Sequence, residues 1–302
     1  MRSLADWARV YGTGVAMGIA DLVPGVSGGT VAFVAGIYDE LLGAIAGLNF
    51  SLLGVARREG VLAAWRQANL GFLVVLLAGV FTSVAAFAGL LHRLLEEEPV
   101  RLWAFFFGLV AASVPLVGRE VKRWNAQRLV LALIGLAAAG LITSLPPLVQ
   151  SDAPAFLFVS GAIAICAMIL PGISGSFLLL ILGAYGAVIG ALKGLDFMRI
   201  GVFGAGAVVG LLGFSRLLKR WLERHRAATI AVLTGFLLGS LNALWPWKEA
   251  VRALYTHSDG RVEFFRVNAV PPADWLHGAV WMVVGAVVVT GLDVAARQMR
   301  RG

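Results

Sequence analysis

Two serines carry the chemistry that this chain advertises most plainly. Each sits in a Pro-Gly-x-Ser-Gly break inside an apolar run, first as Pro24-Gly25-Val26-Ser27-Gly28-Gly29-Thr30 and again as Pro171-Gly172-Ile173-Ser174-Gly175-Ser176. The proline stops one helix, the glycine turns the chain, and the serine is placed to cap the next helix. The glycines after Ser27 leave backbone N–H groups open at the positive end of that helix, a natural seat for an anion such as phosphate or carboxylate. Ser174, Gly175 and Ser176 offer the same chemistry a second time. A plainer reading is that the glycines only let helices pack closely, as small residues do in membranes; duplication of the whole motif favours the binding reading.

Three acids interrupt the apolar arms around the first break: Asp21, Asp39 and Glu40. A carboxylate at mid-membrane depth costs roughly 2.5–3.5 kcal/mol, so each is a functional candidate. Asp21 adjoins the break and has Met168 as its counterpart in the second copy. It either carries a coupling proton or cation, or holds the break together by accepting its N–H groups. Glu40 is the second coupling candidate. Ten residues past Thr30, about 15 Å along a continuous helix, Asp39 and Glu40 reach the membrane interface, where they read as solvated.

The elements that position these residues are also duplicated. Shifting residues 17–50 by 147 positions gives 12 identities in 34 positions without a gap, including Gly36/Gly183 and Tyr38/Tyr185. A shift of 131 later pairs Gly79 with Gly210, Gly108 with Gly239 and Pro115 with Pro246. Two related units follow, 1–150 and 151–302, the first with an insertion near residues 54–70. The first unit is expected to hold a hairpin with arms 10–22 and 30–48, then spans near 71–91, 102–117 and 129–147. The second repeats it with arms 155–169 and 176–192 and spans near 201–217, 227–245 and 276–296. A hairpin plus three crossings inverts the second unit relative to the first. The fold class is therefore an all-α polytopic membrane protein built on an inverted repeat, with broken or re-entrant hairpins at its centre.

Composition agrees. Of 302 residues, 59% are hydrophobic and 14% charged, and the mean hydropathy is +0.86. The net charge of +8 does not point to nucleic acid, because the bases lie in loops and termini. Residues 2–9, 57–66, 119–128, 216–226 and 297–301 hold 17 of the 25 Lys and Arg. That bias places both termini in the cytoplasm. No cleaved signal peptide is read at the N-terminus. Residues 246–274 read as a connector, with a small folded cap as the alternative, Tyr38 and Tyr185 as interfacial anchors, and Trp245-Pro246-Trp247-Lys248 as an outer aromatic belt with a snorkelling lysine.

Enzymatic readings fare badly. The four histidines are scattered, metal-ligand spacing is absent, and no Gly-x-Ser-x-Gly elbow or Gly-x-x-x-x-Gly-Lys loop occurs. No cofactor is expected, and the single Cys166 can form no internal disulfide.

The paired breaks, with Val23 and Leu170 before them and Trp245-Pro246-Trp247-Lys248 after, resemble the bacterial PopT family of polyprenyl-phosphate transporters, formerly a domain of unknown function. The resemblance runs over nearly the whole chain; Ser176 in place of a second glycine is a mild departure. It implies a flippase of the bacterial plasma (inner) membrane that returns undecaprenyl phosphate from the outer to the inner leaflet for peptidoglycan and other envelope polymers. Its partners are then polyprenyl-phosphate lipid, membrane lipids and a coupling proton or cation, and a homo-oligomer stays open. A channel or transporter for a small anion is the alternative from the residues alone.

Overall fold

The computed structural model describes residues 2–23, 26–49, 51–145, 151, 153–256 and 262–301. Thirteen helices and one two-stranded ribbon lie among them, an all-α polytopic membrane architecture. Helix α1 (Leu4–Asp21) starts at a capping box in which Ser3 and Asp6 exchange backbone hydrogen bonds. Helices α2 (Gly28–Val34) and α3 (Tyr38–Gly47) follow, then two short helices, α4 (Ser51–Glu59) and α5 (Val61–Gln67), in the inserted loop. Three long helices come next: α6 (Leu70–Glu97), α7 (Pro99–Gly118) and α8 (Ala126–Ser144). The chain then repeats the order with α9 (Pro154–Ile169), α10 (Gly175–Leu182), α11 (Tyr185–Lys193), α12 (Phe197–Leu244) and α13 (Leu276–Arg301).

Helix α12 would run about 72 Å if straight, more than twice a hydrocarbon core of about 30 Å. Non-helical backbone at His225 divides it into two arms. Helices α6, α7, α8, α12 and α13 are each long and apolar enough to cross a membrane. Their outer faces stay apolar, with Phe81, Leu141, Val209 and Val287 all exposed, the surface that lipid would cover.

The sequence suggests unbroken second arms at 30–48 and 176–192, and the structure corrects this. Between α2 and α3 the chain bends by 118°, and between α10 and α11 by 107°. Both bends are the same device. Gly36 takes φ +72° and Gly183 φ +73°, left-handed values that favour glycine. Each closes its helix with a Schellman pair: Gly36 N to Phe33 O and Ile37 N to Ala32 O, matched by Gly183 N to Leu180 O and Ala184 N to Leu179 O. The partners are all related by the 147-residue shift.

Close glycine contacts repeat in the same way. A Cβ at Gly14 would lie 2.2 Å from Leu76 O, and one at Gly79 2.2 Å from Tyr11 O, so α1 and α6 meet backbone to backbone. Gly161 on Phe203 O and Gly210 on Ala162 O join α9 to the first arm of α12. Farther along, Gly108 lies on Met282 O and Gly239 on Leu136 O. So α7 packs on α13 and the second arm of α12 packs on α8, and helices from either side of residue 150 interlock.

The segment between α12 and α13 is more than a connector. Strands β1 (Lys248–Thr256) and β2 (Val262–Asn268) form an antiparallel ribbon in which Lys248 faces Asn268 and Ala250 faces Arg266.

Candidate functional site

Pro24 and Gly25 lie outside the described residues; the rest of both breaks is brought to one place. Ser27 and Thr30 are fully buried and Ser174 nearly so. Ser27 ends the first break in extended backbone, and its Oγ accepts the Gly29 N–H at 3.1 Å, the cap expected of it. The same hydroxyl faces two carbonyls of the other break, Leu170 O at 3.0 Å and Met168 O at 3.2 Å. Thr30 Oγ1 accepts the Gly172 N–H at 3.0 Å. A Cβ on Gly29 would stand 2.6 Å from Ile169 O, so only glycine permits this approach of the two tips.

The tip donors are occupied from within. Asp21 Oδ1 accepts the Gly28 N–H at 2.7 Å, so a carboxylate already sits at the start of α2. Of the two readings left open for Asp21, this geometry supplies the structural one directly. The second tip is built differently: Ser174 makes no side-chain cap, and its Oγ lies 2.9 Å from Ser176 Oγ. Gly172 takes φ +94° and backs onto Ser240 of α12. Gly175 lies against Ala164 O, inside its own hairpin.

Tyr38 is not an interfacial anchor. It is buried, and its hydroxyl donates to Ile169 O at 3.0 Å, a further bond between the halves of the tip pair. Its repeat partner Tyr185 is legible in the sequence, whereas the bend at Gly36 that turns Tyr38 inward is a property of the backbone. Arg9 also reaches this bend, donating to Ala35 O at 2.7 Å.

Glu40 stands apart from Asp21. The bend separates them, and Glu40 instead pairs with Arg2 and accepts from Asn69 at 2.6 Å. Asp39 is exposed but also paired, to Arg226 at 2.9 Å, and the same guanidinium reaches Glu120 at 3.1 Å. Arg226 follows the break in α12, so this ion triad ties α3, the end of α7 and α12 together. Arg216 adds bonds to the carbonyls of Ala46 and Leu48, the latter at 2.6 Å.

A cavity of about 480 Å³ opens beside the Gly36 bend, lined by Phe33 and Gly36 on one side and Arg119, Asp293 and Arg297 on the other. Asp293 is buried and bridges the two arginines, with Arg297 Nε at 3.0 Å and Arg119 as its second partner. The Asp293–Arg297 pair one helical turn apart is legible in sequence; Arg119 comes from α7 and is not. Among the described residues no three His, Cys, Asp or Glu side chains gather as a metal site would.

No solved structure matches this chain. Among curated proteins, a "polyprenyl-phosphate transporter" of Vibrio cholerae serotype O1 is 42% identical over 302 aligned residues, covering 97% of this chain and 98% of that protein. A protein of the same name from Staphylococcus aureus is 31% identical, covering 80% of this chain and 86% of its own length. A family model described as "VCA0040-like: Undecaprenyl phosphate translocase-like" matches residues 17–262. With that match enclosing both tips and a relative similar from end to end, the chain belongs to the VCA0040-like, undecaprenyl phosphate translocase-like family.

Proposed function

We propose that this protein is a membrane transporter for polyprenyl phosphate, and that it returns undecaprenyl phosphate from the outer to the inner leaflet of a bacterial inner membrane for reuse in envelope polymer synthesis. The names of the two relatives support the substrate class. The observation that carries the mechanism is the mutual closure of the two breaks, Thr30 on Gly172 and Ser27 on Leu170. Both termini lie in the cytoplasm on the distribution of Lys and Arg, and the units 1–150 and 151–302 are inverted copies.

The head group enters between the tips while the polyprenyl chain stays in lipid, which spares the charge a crossing of hydrocarbon. A phosphate reaching the start of α2 has to displace the Asp21 carboxylate from Gly28, since two anions cannot share that N–H. Opening of the tips and release of Asp21 are then one event. A proton or cation on Asp21 favours it by removing the repulsion between carboxylate and phosphate. Hinging falls at Gly36 and Gly183, where the helices are already interrupted.

The test is transport of a fluorescent polyprenyl phosphate by the full chain in proteoliposomes, with inorganic phosphate as competing cargo. Movement of the lipid supports the proposal; movement of inorganic phosphate alone assigns the site to a small anion. Asp21→Asn is expected to flatten the pH dependence of transport, and an unchanged pH profile removes Asp21 as the coupling group.

A further inference from the structure

A second cavity, of about 240 Å³, lies at the opposite end of α7 from the Arg119 cavity. Pro99 and Trp103 in the first turns of α7 line it, with Trp247, Lys248, Arg266 and Val270 from the ribbon and its flanks. Helix α7 has 20 residues, about 30 Å of rise, so the two cavities open on opposite faces of the membrane. Arg119 stands in a base-rich segment read as cytoplasmic; the ribbon cavity is then on the outer face.

Its charge is one-sided. Lys248 and Arg266 project from the same face of the ribbon as diagonal neighbours, because Lys248 pairs with Asn268 and Arg266 with Ala250. No carboxylate lines the cavity, and among the described residues neither cation has an acidic partner. Lys248 is half-buried and Arg266 exposed, and two like charges this close cost stability, which an incoming anion relieves. Lys248 does not snorkel outward as expected from sequence. Its Nζ lies 5.0 Å from the Trp103 ring centre and donates to Ala243 O at the end of α12. That carbonyl takes one of three ammonium donors and leaves two.

The walls are fixed in advance. Trp247 is buried, edge-on to Trp245 at 5.2 Å, and Trp245 is edge-on to Phe107 at 5.6 Å. Trp245 Nε1 donates to Ala269 O, and Ala269 N donates to Trp247 O, both at 2.9 Å. A Cβ on Gly278 would strike the Trp247 ring at 2.7 Å, so α13 holds the ring from behind. The volume equals roughly eight waters at about 30 Å³ each, room for a phosphate monoester and the start of an attached chain.

We propose that the Trp103–Lys248–Arg266 cavity is a second anion site, separate from the hairpin tips, that receives a phosphate monoester on the outer face with its first carbons against the tryptophan rings. The assignment of that monoester to a lipid rests on the transport function proposed above.

A local reporter tests it. Val270 is 87% exposed at the cavity; Val270→Cys in a Cys166→Ser background takes an environment-sensitive fluorophore in the full-length protein. Geranyl phosphate is expected to give a saturable signal, weakened about tenfold or more by Lys248→Gln or Arg266→Gln. Lys248→Arg is expected to stay within about threefold, since it keeps the charge, and Ser27→Ala to leave the signal in place. Equal affinity in Lys248→Gln, Arg266→Gln and the parent, all with parental thermal midpoints, overturns the site. Inorganic phosphate that competes as well as geranyl phosphate overturns the lipid assignment alone. Wild-type protein that binds geranyl phosphate here but moves no polyprenyl phosphate sinks the transport proposal and leaves this site standing.

Discussion

Thr30 and Gly172 are 142 residues apart in sequence and 3.0 Å apart in space, joined by a buried hydrogen bond from the glycine N–H to the threonine hydroxyl. The bond sits at the point where two duplicated helix breaks meet. Thr30→Val keeps the shape and removes the acceptor, leaving a buried N–H unpaired at a cost of about 1–3 kcal/mol. Thr30→Ser keeps the acceptor and is expected to cost less. Chemical denaturation of both variants in detergent checks the order; equal stability of Thr30→Val and wild type contradicts it.

Gly36 and Gly183 hold matching left-handed positions at the two bends. Alanine at either adds a left-handed strain of about 1–2 kcal/mol, so the two variants are expected to lose similar stability. Gly43→Ala serves as a control, because a Cβ there meets nothing within 4 Å. Thermal midpoints of the three proteins measure the comparison.

Asp293 holds Arg119 and Arg297 at the cavity beside the Gly36 bend. Asp293→Asn strands two cations beside each other. Breaking a fully buried pair costs about 3–5 kcal/mol, and both guanidiniums here are partly exposed, at 40% and 45%, which reduces the cost to about 1–2 kcal/mol. Adding Arg119→Gln to Asp293→Asn is expected to recover part of the loss. A double-mutant cycle measures the recovery, and strict additivity contradicts the bridge.

Burial, and then the Arg266 guanidinium, push the Lys248 ammonium down to about 8 from its ordinary 10.5. The unfolded chain therefore binds more protons between those values, and stability rises as pH goes from about 8 towards 10.5. Below about 8 the destabilising charge is fully present. Anion binding runs the other way, falling as the ammonium is lost; the groups facing it are Arg266 from β2, Trp103 from α7 and Ala243 O from α12. Comparing Lys248→Met with wild type across this range isolates the effect. A wild-type stability curve parallel to that of the variant contradicts it.

Much of this arrangement is legible in the sequence because duplication marks it twice. The two breaks, their serines and the later crossings follow from matched residues and long apolar runs. The bends at Gly36 and Gly183 were also signalled, as matched glycines inside apolar arms, but a glycine in a membrane helix serves packing as readily as turning, and only the backbone separates the two. Tyr38 and Lys248 show a second reason. Aromatic and basic residues near a helix end belong by default to the interface; here a 118° bend carries Tyr38 inward, and the ribbon carries Lys248 over Trp103. The ribbon itself had a signal in Asp259-Gly260 between segments rich in valine and aromatics. The long apolar helices on either side mask so short a signal.

Polyprenyl phosphate is proposed to pass between the paired tips. Ser27 caps α2 and faces Leu170 O across the tips, and Ser174 stands at the matching position. The direct measurement is the initial rate of fluorescent polyprenyl-phosphate movement in proteoliposomes holding wild type, Ser27→Ala or Ser174→Ala. Once the tips open, each serine hydroxyl is free to donate to the phosphate, so each lost hydroxyl is expected to slow transport about tenfold, the scale of one hydrogen bond to a charged group, in proteins that remain folded. Wild-type vesicles no faster than protein-free ones, or serine variants as fast as wild type, would contradict it.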